Sequence, residues 1–482
     1  MSILQPYNFT MATNNIVQEP IAQKKNTYLV PLIVLTSLFF MWGFLRSMTD
    51  VIIPYFRKLF TLNYAQSMLV QFCFLGAYFI GSIIYYSISL KKGDPIQRIG
   101  YKKSVLIGIT LSTMGCLLFL PASYFASYPL FLFALLILGF GFTLLEITAN
   151  AFVTLLGSEE TASGRLNLTQ AFNSLGTTLG PLIGGYMIFT LFTNPQTGVP
   201  TENAARIPYL IFACIFIVLG ILIALVKFPK LTNSNTEIEK IEGKGAWQFP
   251  QLKLGMLGIF FYNGAETGIG SFIIVLLEQK FGFSDAISKN YVSLYWGGAM
   301  IGRFLAPIAF NKTMSLGKRL IYMIGIALLV FGVLSLINPL SLHDIQFLLY
   351  FIALNIIGFI LGKRNAGLTL AIFAIISAAF VLIGATSDNH WIIYTFLAIG
   401  LFNSIMFSNI YTLGITGLGK HASQGSSLLI MAILGGGLLS FVQGIIADKY
   451  GVQTSFLLHV ISYSYLVFFG LYCFKNLKKY LG

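Results

Sequence analysis

The chain has 482 residues, of which 56% are hydrophobic and only 10% charged. Soluble proteins carry about a quarter charged residues, so a soluble globular fold is excluded. The net charge of +14 therefore poses a question of membrane sidedness before one of nucleic-acid binding, and no nucleic-acid partner is expected.

Residues 1–27 are polar and lack the basic start, apolar centre and small-residue cleavage site of a signal peptide, so they read as a disordered cytoplasmic tail. From Tyr28 almost to the end, apolar stretches recur at about the 20 residues needed to cross roughly 30 Å of hydrocarbon. Backbone groups cannot go unpaired in lipid, which makes these stretches helices. Helices are predicted at about 28–56, 65–90, 103–121, 128–156, 166–192 and 207–228, forming an N-terminal half over 28–228. A mixed Lys and Glu segment, 229–250, reads as a solvated cytoplasmic linker. The C-terminal half, 251–482, has helices predicted at about 251–278, 288–310, 318–337, 345–361, 366–385, 390–415, 424–446 and 452–474.

That makes fourteen spans. With the amino terminus in the cytoplasm, and with Arg303 counted as a helix-end cation, 23 of the 30 Lys and Arg fall on the cytoplasmic side, an asymmetry that supports the count. Both termini are then cytoplasmic. The fifth and thirteenth predicted helices, "LNLTQAFNSLGTTLGPLIGGYMI" and "SSLLIMAILGGGLLSFVQGIIAD", are both glycine-rich, a weak internal repeat of the kind found between transporter halves.

Three carboxylates fall within predicted helices: Asp50, Glu146 and Glu266. An ionised group at the bilayer centre costs at least about 2.5 to 3.5 kcal/mol, so each must meet water, a partner or a proton, and all three are candidates for proton coupling. Arg46 lies four residues before Asp50, on the same helix face. It either pairs with Asp50 or contacts substrate. The amides Gln71, Gln170, Asn173, Asn263, Asn403 and Gln443 can each donate to one hydroxyl and accept from another, which suits a hydroxyl-rich ligand. Trp42, two turns before Asp50, is a candidate for stacking on a sugar face. Interhelical packing is the competing reading for every one of these residues.

The four cysteines, Cys73, Cys116, Cys214 and Cys473, are scattered in apolar segments and read as packing residues. The four histidines form no metal-binding spacing. No cofactor or metal is expected. A membrane enzyme needs paired acids, metal ligands or an activated nucleophile at the surface, and no loop supplies one.

The stretches "SLFFMWGFLRSMTDVIIP", "RIGYKKSVLIG", "LLEITANAFVTLLG", "GRLNLTQAFNSLGTTLGPLIGG", "YNGAETGIGSF" and "GLFNSIMFSNIYTLGI" together resemble the major facilitator superfamily, specifically its fucose and glucose/galactose proton-symporter branch. The resemblance implies a twelve-helix core in two six-helix halves with alternating access to a central sugar cavity. It also implies proton coupling at Asp50 and Glu146, sugar contacts at Gln170 and Asn173, and a glucose/galactose character for Glu266. The expected protein is a monomeric sugar–proton symporter of a bacterial inner membrane. Arg46 departs from the family pattern and keeps an anionic sugar derivative open as substrate; sodium coupling also stays open. Fourteen spans against twelve imply an inserted helix pair within about 318–386.

Overall fold

The computed structural model describes residues 28–228 and 245–477, apart from 63, 193, 195, 197–200, 202, 284, 339 and 390. The 1–27 tail and most of the expected linker lie outside the described residues. Fourteen long helices follow one another: α1 (Leu29–Leu59), α2 (Tyr64–Lys92), α3 (Tyr101–Tyr124, stepped at Leu118), α4 (Tyr128–Leu155), α5 (Glu159–Tyr186, prolonged by a wider turn over Met187–Leu191) and α6 (Asn203–Leu225). The second half continues with α7 (Pro250–Phe281), α8 (Asp285–Ala309), α9 (Leu316–Ile337), α10 (Leu342–Leu361), α11 (Ala366–Thr386), α12 (Ile392–Ile415, broken after Asn403), α13 (Gly419–Tyr450) and α14 (Val452–Asn476). Each answers one helix expected from the sequence.

Local chemistry sets several helix starts. Ser315 and Asn365 turn their side chains back onto the Lys318 and Leu368 amides, capping α9 and α11. Asp94 caps a short turn, Pro95–Ile99, by accepting from Ile96 N at 2.9 Å, and it also accepts from Tyr85 Oη at 2.5 Å. Burial raises the pKa of this loop carboxyl.

Twelve of the helices are long and apolar enough to cross a membrane. The other two, α5 and α8, are more polar, and they pack against each other across the two halves. Their polar faces are thereby shielded from lipid, so the hydropathy deficit has a structural reason.

The halves repeat one packing scheme. α1 lies on α5, and a side chain at Gly176 would start 2.1 Å from the Phe40 carbonyl oxygen of α1. α7 lies on α13, and a side chain at Gly435 would start 2.1 Å from the Phe260 carbonyl oxygen of α7. Both glycine-rich helices of the sequence thus let a neighbouring backbone approach closely. In the first half, α3 packs on α4 and α6; in the second, α11 packs on α12 and α14. α11 therefore fills the place of α3, and α9 and α10 have no counterpart.

The α9–α10 pair stands at the periphery, with Ile321, Leu329 and Leu336 exposed along α9 and Tyr350 exposed on α10. Among the cysteines, Cys116 and Cys473 are buried, but Cys214 is exposed on an outward face and fills no core position.

Substituting Gly176 by Val is expected to force α1 and α5 apart. Overpacking of this kind costs about 1 to 3 kcal/mol. The purified variant should show a lower melting temperature in detergent, whereas Gly76→Val, where a side chain meets nothing within 4 Å, should not.

Candidate functional site

Glu146 sits in α4, 5% exposed, in the interior of the first half. Arg46 of α1 acts on it electrostatically, and Tyr78 of α2 and Tyr411 of α12 lie within its field. Arg46 is exposed although its helix neighbours Leu45 and Ser47 are buried, and its guanidinium has no carboxylate within 4 Å among the described residues. The side chains of Asp50 and Gln71 lie outside the described residues, so neither expectation is placed in the geometry.

Beside this acid, Trp42 donates its indole N–H to Tyr78 Oη at 3.1 Å and packs between Phe39 and Phe142. The expected sugar-stacking face is instead engaged by these rings, and Trp42 is 5% exposed. Gln170 of α5 donates to Asn150 Oδ1 of α4 at 3.4 Å, while the buried Asn150 amide nitrogen has no partner. Asn173 spends its amide nitrogen on the Phe39 carbonyl at 2.9 Å, across the α1–α5 contact.

A second acid, Glu266 of α7, is held more tightly. Its Oε1 accepts from Tyr262 Oη at 2.6 Å and from Arg303 Nη2 at 3.2 Å. The Glu266 side chain is 14% exposed and that of Arg303 11%. Asn263 is beside it in sequence, but its amide bonds the Ile259 carbonyl of its own helix at 3.1 Å.

The structure corrects the placement of Arg303. Counted from sequence as a helix-end cation, it lies six residues before the end of α8, about 9 Å inside at 1.5 Å per residue, and it points at Glu266. Tyr262 and Tyr78 were also missed. The spacing of Tyr262 and Glu266, four residues apart on one helix, was the available signal.

Two expected site residues are elsewhere. Asn403, fully buried, donates to Tyr295 Oη at 3.0 Å and accepts from Tyr463 Oη at 2.8 Å. Tyr295 in turn donates to the Glu266 backbone carbonyl at 3.1 Å, so this chain of bonds supports α7 from behind. Gln443, also fully buried, accepts through Oε1 from His459 Nε2 at 2.8 Å and donates through Nε2 to Ser455 Oγ at 3.4 Å. Both amides are consumed by helix packing because a buried polar group without a partner is costly.

Polar contacts between the halves concentrate toward the end that carries the basic loops. Ser163 Oγ donates to Asn409 Oδ1 at 2.5 Å, Tyr101 Oη and Ser423 Oγ are 2.9 Å apart, and Lys312 pairs with Glu160 at 3.5 Å. Ser426 Oγ donates to the Ile147 carbonyl at 2.8 Å, beside Glu146.

Two repeated helical halves, joined by polar contacts at one end and with a buried or half-buried acid in each, define a polytopic helical membrane protein. The Major Facilitator Superfamily model matches residues 35–363. A glucose/galactose transporter of Brucella abortus is 38% identical over 464 residues, covering 96% of this chain and 98% of that one. The L-fucose-proton symporter of Escherichia coli is 28% identical over 93% of this chain and 94% of its own. Among solved structures, FucP in the outward conformation superposes with a TM-score of 0.73 at 25% identity, over 93% of this chain and 99% of that one. The chain belongs to the major facilitator superfamily.

Replacing Asn403 by Leu is expected to strand the Tyr463 hydroxyl, while Tyr295 keeps its bond to the Glu266 carbonyl, at about 1 to 3 kcal/mol for the buried group left unpaired. Thermal unfolding in detergent should register that loss. A ligand-contact role for Asn403 would instead appear as weaker binding at unchanged stability.

Proposed function

We propose that this protein is a secondary active transporter that takes up a sugar, a hexose or deoxyhexose such as glucose, galactose or fucose, together with protons by alternating access. The observation that carries the reading is the pair of acids set in different halves: Glu146, buried in the electrostatic field of Arg46 and Tyr78, and Glu266, bonded to Arg303 and Tyr262. The relatives named glucose/galactose transporter and L-fucose-proton symporter, matched along almost their whole length, support the substrate class and the coupling ion.

In this mechanism Glu146 takes up a proton while the site faces the open end, and Asp50 is assigned the second proton-handling role. Protonation removes a charge that would otherwise have to cross the closed barrel. Sugar hydroxyls then bond to the unpaired Asn150 amide, to Gln170 and to Glu266, whose carboxylate accepts hydrogen bonds. The halves rock, the contacts at the basic-loop end part, and sugar and proton leave on that side. Asn173, Asn263 and Gln71 are assigned to the same polar wall.

The organisation we assign is an N-terminal half over 28–228, a linker over 229–250 and a C-terminal half over 251–482, with α9 and α10 as the inserted pair. The setting is a bacterial inner membrane, with both termini in the cytoplasm and a monomer as the transporting unit.

A second reading rests on Arg46. An exposed guanidinium without a carboxylate within 4 Å among the described residues is a binding group for a carboxylate or phosphate on the substrate, which would make the cargo an anionic sugar derivative. Sodium in place of the proton is tested by removing it at fixed pH.

Counterflow in proteoliposomes over a panel of labelled sugars, repeated with a pH gradient, tests the main reading. A neutral sugar should exchange and should accumulate when the outside is acidic. If only sugar acids compete, the Arg46 reading replaces it. Glu146→Gln should keep counterflow but lose pH-driven accumulation; unchanged pH dependence would remove Glu146 from proton handling.

The inserted pair yields a separate expectation. The tetrapeptide Leu-Gly-Lys-Arg occurs at 316–319 and again at 361–364; the first arginine ties onto the end of α8 and the second onto the loop after it. Arg319 bonds the Ala309 carbonyl at 2.9 Å, and Arg364 bonds those of Lys312 and Met314 at 2.9 and 3.0 Å. Excising residues 320–364 joins Arg319 to Asn365 and keeps one copy. The product should run as a monodisperse protein in detergent and retain counterflow.

A further inference from the structure

Arg303 is the described side chain that touches three separate helices of the site region at once. Its Nε donates to the Ser404 carbonyl at 3.0 Å, where the break in α12 leaves that oxygen open. Its Nη2 donates to Glu266 Oε1 of α7 at 3.2 Å, and its Nη1 donates to Ser174 Oγ of α5, in the opposite half. The guanidinium is planar, with its donors in a fixed fork, so it cannot turn toward one acceptor without leaving another.

Its location gives this geometry a consequence. The α5–α8 seam runs from Gly164 opposite Pro307 and Phe310, through the edge-on pair Phe172–Phe304 with centroids 5.7 Å apart, to Ser174–Arg303. Ser174–Arg303 is thus the contact farthest from the basic-loop end in this series, and it adjoins the Glu266 station. Glu266 Oε1 already accepts from Tyr262 as well as Arg303. A further donor arriving at that carboxylate competes with Arg303 for the same oxygen.

We infer that Arg303 is a positioning residue that links occupancy of the Glu266 carboxylate to the seam between the halves. With the site empty, one guanidinium pins α7, α12 and α5 together and holds the basic-loop end closed. A substrate hydroxyl bound to Glu266 displaces the fork, the Ser174 bond is lost, and the halves are released to rock. The device couples movement to loading, because an empty site keeps its clamp. It deepens the transport reading, on which it rests.

Hydrogen–deuterium exchange of the full-length protein in nanodiscs, first without sugar, tests it. Ser174→Ala removes the seam acceptor and leaves Glu266–Arg303 in place. Exchange at the basic-loop ends of α5, α12 and α13 should rise about tenfold, the scale of one charge-assisted hydrogen bond. Arg303→Lys, which keeps the charge but loses the fork, should do the same, and the double variant should go no further than either single one. In uptake, Ser174→Ala should keep its KM within about twofold while Vmax falls, as expected when a bond outside the ligand contacts is lost.

Unchanged exchange in Ser174→Ala, or additive effects in the double variant, would overturn the clamp. Exchange raised throughout the bundle, α3 and α6 included, would mark a packing defect and overturn it too. If the wild type moves no sugar of the panel, the transport reading fails, while exchange in the empty protein still decides the clamp.

Discussion

A charge inside hydrocarbon must find a partner, water or a proton, and this constraint organises the molecule. The described arginines and acids of the membrane interior, Arg46, Glu146, Glu266 and Arg303, are gathered between helices and away from the outer apolar faces. The same constraint explains why α5 and α8 fall short on hydropathy. They pack against each other from opposite halves, so the sequence is least membrane-like where the two halves meet.

From that gathering follows a division between two kinds of polar residue. Asn403 and Gln443 are fully buried with their hydrogen bonds met by neighbours, and they fix helix positions. Asn150 keeps a buried amide without a partner, and Glu266 and Arg303 keep partial exposure. Bonds already satisfied within the protein would have to be broken before a residue of the first kind could serve a ligand, whereas the Asn150 amide has none to lose.

Much of this was legible in the sequence. Apolar length accounts for twelve of the fourteen helices, since lipid leaves the backbone no alternative to helix. The expense of a buried charge singled out Glu146 and Glu266. The role of each amide was not legible, because an amide that packs and an amide that binds look alike until the facing helix is known. Trp42 is ambiguous for the same reason: its ring contacts with Phe39 and Phe142 are ones that only the fold brings together. Arg303 escaped because a basic residue near a helix end is the ordinary signature of sidedness, and its turn inward toward Glu266 depends on a helix that precedes it in the chain. The inserted pair could be bracketed but not chosen, since three apolar segments of similar length compete for one place and packing alone decides among them.

The route of the chain through α9 and α10 also matters for handling the protein. The pair leaves and returns through one corner, clasped by Arg319 and Arg364 to the end of α8 and the loop after it. Its far turn, near Asn338, is well removed from that clasp and from the α5–α8 seam. A small, nearly featureless membrane protein is hard to orient in projection images. This turn offers a place to graft a rigid soluble domain as a fiducial, on a limb that Asn338 ties to α8 through the Asn290 carbonyl at 3.0 Å and Ser293 Oγ at 2.6 Å.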